Sequence, residues 1–113
     1  MTRPVRLDFS ARKAEYLLRH ATEPGEGGDK QMLFQGRLGF DSADAIREAI
    51  LTEISLERLE LQEPNQHGDR YYEVITITGP SGVSCRLRTV WIVLLGEDVA
   101  KFVTAVPMRR NQR

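Results

Sequence analysis

The sequence is poor in the residues that bind metals, form disulfides or anchor nucleotides. Its 113 residues include one cysteine, Cys85, and two histidines, His20 and His67. A single cysteine excludes an internal disulfide, and Cys85 alternates with apolar neighbours, which is typical of a small core residue. No HExxH or CxxC spacing, GxGxxG loop, Walker sequence or GxSxG elbow occurs. We therefore expect no metal site and no cofactor.

Long apolar runs and a net charge are also missing. No apolar stretch approaches the roughly 20 residues that span a bilayer, and the N-terminus lacks the apolar segment of a secretion signal. Sixteen basic residues balance sixteen acidic ones. Bulk charge thus gives no sign of a nucleic-acid or membrane partner, and such a role requires local clustering of charge. We expect a cytoplasmic protein with no membrane partner.

The length predicts a single domain over residues 1–113. Helical patterns occupy residues 10–62 and strand patterns occupy residues 70–107. Glycines and a proline make residues 22–29 a predicted flexible loop, and residues 108–113 form a basic tail. Helices followed by strands indicate the α+β class. We expect two or three N-terminal helices packed on a three- to four-stranded antiparallel meander sheet.

Apolar residues at helical spacing mark the helices. The first helix is predicted over Ala11–His20, and a shorter one over Lys30–Leu38. The longest helix begins at Ser42, or one residue earlier, and runs to about Leu59. Pro64 then ends the helical half.

Strand-like runs separated by tight turns fill the last third of the chain. They are Tyr71–Thr78, Val83–Leu95 and Val99–Val106. The turn Gly79–Gly82 is rich in glycine and proline, and short connections favour antiparallel pairing. Val5–Phe9 is a further extended segment, suited to an edge strand. Val90–Leu95 is apolar at every position, which predicts a strand end buried on both faces.

Polar side chains are predicted to converge on one face of this sheet. Arg86 and Arg88 lie two positions apart on the middle strand, so both point to the same face. Thr104 lies on the next strand and Tyr72 on the preceding one. An arginine pair of this kind is either an anion site or a solvated sheet face, and the pattern leaves both interpretations open.

Two further residues supply candidate acid–base chemistry. His20 ends the first helix and Lys30 begins the next segment. An imidazole can exchange protons near neutral pH, and guanidinium or ammonium groups can stabilise the charge that develops on a phosphorane. Together with Arg88 and Thr104, His20 would form the catalytic set, with Lys30, Arg86 and Tyr72 binding substrate. A histidine at a helix C-terminus is equally explained by its interaction with the helix dipole.

Several segments resemble a family of small uncharacterised bacterial domains of unknown function. They are Lys13–His20, Gly28 with Lys30 and Phe34, Leu38–Phe40, Arg88–Val93, Gly96–Val99 and Phe102–Pro107. The resemblance covers most of the chain, from about Ala11 to Pro107. It implies a shared fold but assigns no active site.

The order of helices and then an antiparallel meander is also similar to the barnase/RelE-like ribonucleases and toxins. That resemblance implies metal-free RNA cleavage by a histidine or lysine from the helical half and arginine, threonine or tyrosine from the sheet. The specific hypothesis is therefore a small metal-independent ribonuclease or toxin-like domain with RNA as its partner. The alternatives are a non-catalytic, immunity-like module that binds a protein partner, and a homodimer formed through a sheet edge.

Overall fold

The described residues fold into a five-stranded mixed β-sheet with α-helices packed on one face. The computed structural model describes residues 4–19 and 36–108. In chain order their elements are β1 (Arg6–Asp8), α1 (Ala11–Arg19), α2 (Ala43–Glu53), a 3₁₀ turn (Leu56–Arg58), β2 (Glu60–Asn65), β3 (Gly68–Thr78), β4 (Ser84–Leu94) and β5 (Val99–Pro107). The predicted combination of helices and a sheet is confirmed, while its details differ.

The strands lie side by side in the order β1-β5-β4-β3-β2. Strands β2 to β5 form an antiparallel meander, whereas β1 runs parallel to β5 with Leu7 opposite Ala100. The predicted all-antiparallel sheet of three or four strands is therefore wrong, and the helices are not N-terminal because β1 precedes them. Parallel strands are joined by long connections, so no tight-turn sequence between β1 and β5 predicts that they pair.

Strand β2 lies where the sequence predicts the end of the helical half. Its residues from Glu60 to Pro64 are all exposed, so no alternation of apolar side chains marks the strand. The pairing contains a bulge between Leu61 and Glu63, and Pro64 lies opposite Asp69. Proline is tolerated here because β2 is an edge strand, where a missing N–H donor does not break an inner ladder.

Helix α2 is shorter than predicted. The hydroxyl of Ser42 accepts a hydrogen bond from the Ala45 N–H at 3.1 Å, which confirms the predicted start. The helix ends at Glu53, and Ile54 is already extended, with φ −75° and ψ 139°. The N–H of Ser55 donates instead to the carboxylate of Glu73 on β3, at 3.2 Å. This contact with the sheet ends the helix well before Leu59.

The hydrophobic core lies between the helices and one face of the sheet. Its centre is an aromatic cluster: Phe9 stacks on Phe102 with a centroid distance of 3.9 Å, and Trp91 meets Phe102 edge-on at 5.2 Å. Ile46 and Ile50 of α2 complete the contact from the helical side. Each large side chain buried in this way contributes about 1.5–3 kcal/mol relative to exposure.

A hydrogen-bonded chain of polar groups crosses this core. The indole N–H of Trp91 donates to the Thr89 hydroxyl at 2.9 Å, and that hydroxyl donates to the Glu73 carbonyl at 2.8 Å. The Glu73 carboxylate also accepts from the Arg58 Nε–H at 3.2 Å. Burial raises the pKa of the Glu73 carboxyl, more strongly than the Ser55 N–H and the charge of Arg58 lower it.

The alternation of β4 continues to its end. Trp91 and Val93 are buried against the helices, but Ile92 and Leu94 on the other face are only half-buried, and Leu95 is 70% exposed. The predicted burial of this segment on both faces is therefore wrong. A run of apolar residues is found both in strands buried on two faces and in strands whose second face is apolar but partly exposed to solvent, so the pattern does not distinguish them.

The β3–β4 hairpin packs its tip against the segment before α2. The N–H of Ser81 donates to the Leu38 carbonyl at 3.0 Å, and the Ser81 hydroxyl donates to the Arg37 carbonyl at 2.7 Å. Helix α1 confirms the predicted start at Ala11, while the predicted last residue, His20, lies outside the described residues. Most of the predicted Lys30–Leu38 helix, the loop 22–29 and nearly all of the basic tail lie outside the described residues.

Candidate anion-binding face of the sheet

The face of the sheet turned away from α1 and α2 is here called the open face. Alternate residues of β3, β4 and β5 contribute its side chains. It includes Arg70, Tyr72, Val74, Thr76, Arg86, Arg88, Val90, Ile92, Lys101, Thr104 and Val106. No helix within residues 4–19 and 36–108 packs on it, since the buried residues of those helices join the core on the opposite side.

The strand register brings the sequence-predicted sheet residues onto this one face. Arg86 lies opposite Thr76, Arg88 opposite Val74, and Tyr72 opposite Val90. Directly opposed residues of antiparallel strands project from the same side of a sheet. The pattern of alternation therefore located Arg86, Arg88 and Tyr72 on a common surface.

Thr104 reaches the open face because of a β-bulge. Phe102 pairs with Trp91 on the buried side, and Thr104 pairs with Val90 on the open side, so Val103 is an extra residue in β5. Without the bulge, Thr104 would share the buried side with Phe102. Bulges commonly re-aim side chains in this way.

Arg88 is held over an aromatic ring. Its guanidinium carbon lies 4.3 Å from the centroid of the Tyr72 ring. At this distance the ring quadrupole attracts the cation, and a contact of this type contributes about 0.5–2 kcal/mol. The ring thus limits the rotamers of Arg88 and orients the planar guanidinium on the open face.

A pocket of about 440 Å³ lies beside Arg88. Its polar lining comes from Gln62 on β2, Arg70 on β3, Arg88 on β4 and Thr104 on β5. Its apolar lining comes from Val90, Val103, Val106, Pro107 and Met108. The pocket therefore crosses four strands and combines two guanidiniums with an aliphatic surface. Arg86, which is exposed, lies outside its lining.

The arginines of the open face lack carboxylate partners among the described residues. Arg6, Arg58 and Lys101 each form an ion pair, with Asp98, Glu73 and Glu97 respectively. None of the three arginines Arg70, Arg86 and Arg88 has a described carboxylate within ion-pair distance. Glu63 lies opposite Arg70 in the β2–β3 register without pairing to it. Uncompensated positive charge beside a pocket is the electrostatic basis of an anion site.

The structure brings together four of the six residues predicted from sequence. His20 and Lys30 lie outside the described residues, so their roles stay predictions. Sequence reasoning missed Arg70 and Gln62. Strand β3 begins at Gly68, three residues before the predicted start, and Arg70 therefore shares a face with Tyr72. Gln62 lies in β2, whose sequence shows no alternation of apolar and polar residues.

Three other properties of the described residues bear on function. Within residues 4–19 and 36–108, no group of three or more His, Cys, Asp or Glu side chains is arranged to hold a metal ion. Cys85 is half-buried beside the core, its thiol donates to the Arg86 carbonyl, and burial raises its pKa. None of the described helices is long and apolar enough to cross a bilayer.

Comparison with known proteins gives a family and a fold. The model of a family described as a domain of unknown function (DUF6883) matches residues 6–109. No curated protein matches the sequence significantly. A chain of the contact-dependent growth inhibition toxin–immunity protein complex from Klebsiella pneumoniae 342 superposes with a TM-score of 0.68 at 21% identity, over 88% of this chain and 98% of that chain. At that identity the likeness demonstrates a shared fold.

Proposed function

The chain belongs to the DUF6883 family of domains of unknown function, and we propose that it is a toxin-like, metal-independent ribonuclease domain that binds RNA on its open face. One observation carries the proposal. The guanidinium of Arg88, oriented by the Tyr72 ring, shares a pocket with Arg70 and Thr104, and no described carboxylate neutralises these cations. Planar guanidiniums bind phosphate oxygens in a bidentate geometry, and the phosphodiesters of RNA present such oxygens in series.

The chemistry needs a proton acceptor, a proton donor and a stabiliser of negative charge. The ribose 2′-oxygen forms a bond to the adjacent phosphorus, and its proton passes to a general base. The bond to the 5′-oxygen breaks, and a general acid protonates that leaving oxygen. In the proposal, Arg88 and Arg86 stabilise the charge on phosphorus. His20 first accepts the 2′-hydroxyl proton and then delivers that proton to the leaving 5′-oxygen, which returns the imidazole to its neutral form. Thr104 and Lys30 assist by donating hydrogen bonds to phosphate oxygens.

The comparisons agree with this proposal at the level of the fold. A protein of the same fold occurs in a complex of a growth-inhibition toxin with its immunity protein. Toxin-like and immunity-like roles are both compatible with that likeness, so the assignment to the toxin-like role comes from the cations of the open face rather than from the comparison.

A protein-binding role is the second candidate, and the apolar part of the same face favours it. Val74 and Val90 are half-buried and Val106 is 44% exposed, so aliphatic surface lies between the arginines. Such a surface would suit an acidic protein partner. A homodimer through the β2 edge is less favourable, because two copies would bring the exposed Glu60 and Glu63 together.

The test of the proposed function is cleavage of RNA in the presence of EDTA. We expect the purified chain to cleave a structured RNA, and Arg88→Ala to lower the rate by about a hundredfold or more, the typical effect of losing a group that stabilises the transition state. Arg12→Ala is the matched control, because it removes the same charge from an exposed position on α1, across the sheet. His20→Ala tests the acid–base role.

Circular dichroism melts of each variant establish that the fold is retained. Equal rates for the native chain and Arg88→Ala, or no cleavage by the native chain, would overturn the ribonuclease proposal. If the native chain then binds an acidic protein and the Arg88→Ala variant does not, that result would favour the protein-binding role.

A further inference from the structure

We infer that the pocket on the open face takes one unpaired nucleotide, with its base over Val90 and its flanking phosphates at Arg88 and Arg70. The inference rests on the proposed function and specifies the RNA that the site accepts. Binding of a phosphate alone would require only the guanidiniums. The pocket also has an aliphatic lining beside the guanidiniums, and this lining suits an apolar part of the ligand in addition to its phosphates.

The register places Val90 between the two cations. Along β4, Arg88 lies two residues before Val90. Arg70 lies opposite Ile92, two residues beyond Val90. Two residues of strand span about 6.6 Å, so the backbone positions of the two arginines stand about 13 Å apart along the strand axis. Long arginine side chains can close part of that distance from either side of an apolar floor.

The other pocket residues fit the edge of a base. The Thr104 hydroxyl and the Gln62 amide can both donate and accept hydrogen bonds, so they can read a polar base edge. Val103, which the β-bulge adds to β5, extends the aliphatic wall next to Thr104. The volume of about 440 Å³ lies near the lower end of the range for small-ligand sites.

A base can enter this pocket only when it is unpaired. In an A-form duplex the bases are stacked and paired, and a protein reaches mainly phosphates and 2′-hydroxyls across a shallow groove. The guanidiniums can contact a duplex backbone, but the floor at Val90 would then stay empty. The site should therefore prefer a single strand, loop or bulge over a duplex of the same sequence.

The test measures binding of three fluorescein-labelled RNA probes by fluorescence anisotropy under EDTA. The probes are a short single strand, the same strand annealed to its complement, and the same backbone with abasic residues. All carry 2′-O-methyl groups, which remove the attacking hydroxyl and prevent cleavage. We expect the single strand to bind at least about tenfold more tightly than either other probe.

Two variants separate the base from the phosphates. Val90→Thr keeps the β-branched shape and makes the floor polar, so it should weaken the single strand severalfold and leave duplex binding unchanged. Arg70→Ala should weaken all three probes, whereas Arg12→Ala should weaken none. Equal affinity for the single strand and the abasic backbone, or for the single strand and the duplex, would overturn the inference while leaving RNA binding intact. Failure to bind any probe, with no cleavage of unmodified RNA, would instead overturn the proposed function.

Discussion

At the scale of single residues, the carboxyl group of Glu73 couples stability to pH. The side chain is 4% exposed, and it joins the end of α2 to the sheet through the Ser55 N–H and Arg58. Its pKa is raised above the ordinary value of 4.5 because burial disfavours the charged form. The folded chain therefore holds this proton more tightly than the unfolded chain does.

The sign of the pH effect follows from that difference. Below pH 4.5 both states carry the proton, and the contribution of Glu73 to folding is fully present. As pH rises through the folded-state pKa, the unfolded chain has already lost its proton and stability falls. Glu73→Gln removes this titration, so the free energy of unfolding of the variant should gain relative to the native chain as pH rises from 4 to 7. Urea denaturation across that range measures the difference in free energy of unfolding between the variant and the native chain. A difference that changes in favour of the native chain as pH rises would contradict the argument.

The burial of Glu73 also marks a limit of sequence reasoning. Tyr71, Ile75 and Ile77 are buried on one face of β3, and Glu73 lies in the same phase of the alternation. A carboxylate in a buried position needs partners, and these come from Ser55 and Arg58, on a segment predicted to be part of a helix. The phase was readable in sequence, whereas the partners required the tertiary structure.

At the scale of elements, the hairpin between β3 and β4 depends on a glycine for close packing. A Cβ atom at Gly79 would overlap the carbonyl oxygen of Leu38 and lie 2.7 Å from both the carbonyl carbon and the Cβ of that residue. Because backbone atoms cannot yield as a flexible side chain does, Gly79→Ala should destabilise the fold by roughly 1–3 kcal/mol.

Gly36→Ala is the matched control for this substitution. A Cβ atom at Gly36 would meet no atom of residues 4–19 and 36–108 within 4 Å, so the effect of this substitution should stay within about 0.5 kcal/mol. Urea denaturation of the two variants, read as midpoints at an unchanged slope, measures the difference. Equal stability of the two variants would show that Leu38 moves away from the hairpin tip at little cost.

The elements differ in how much of them could be predicted from sequence. The meander of β3, β4 and β5 was predictable, because glycine-rich turns separate runs of strand-forming residues. Strand β2 was not predictable, since all its residues from Glu60 to Pro64 are exposed and carry no alternation. The parallel pairing of β1 with β5 was equally hidden, because local patterns encode hairpins but not contacts between distant segments.

At the scale of the whole molecule, one face of the sheet contributes the hydrophobic core and the other carries the proposed RNA-binding site. The side facing α1 and α2 holds the aromatic cluster, and the open face holds arginines without described carboxylate partners. Alternation along the strands was enough to predict Tyr72, Arg86 and Arg88 there. The bulge that re-aims Thr104, and the contribution of Gln62 from a neighbouring edge strand, depend on pairing that sequence patterns do not reveal.

A net charge of zero makes the salt dependence of RNA binding a test of this division. Since the whole chain offers no excess positive charge, the salt-dependent part of the affinity should come mainly from the open-face arginines Arg70, Arg86 and Arg88. Each phosphate neutralised on a single strand contributes about −0.7 to the slope of log K against log salt concentration, so three arginines should give a slope of about −2. Arg88→Ala should reduce its magnitude by about 0.7, and Arg12→Ala should leave it unchanged. A slope near zero, or one that Arg88→Ala does not alter, would mean that RNA binds without the open face.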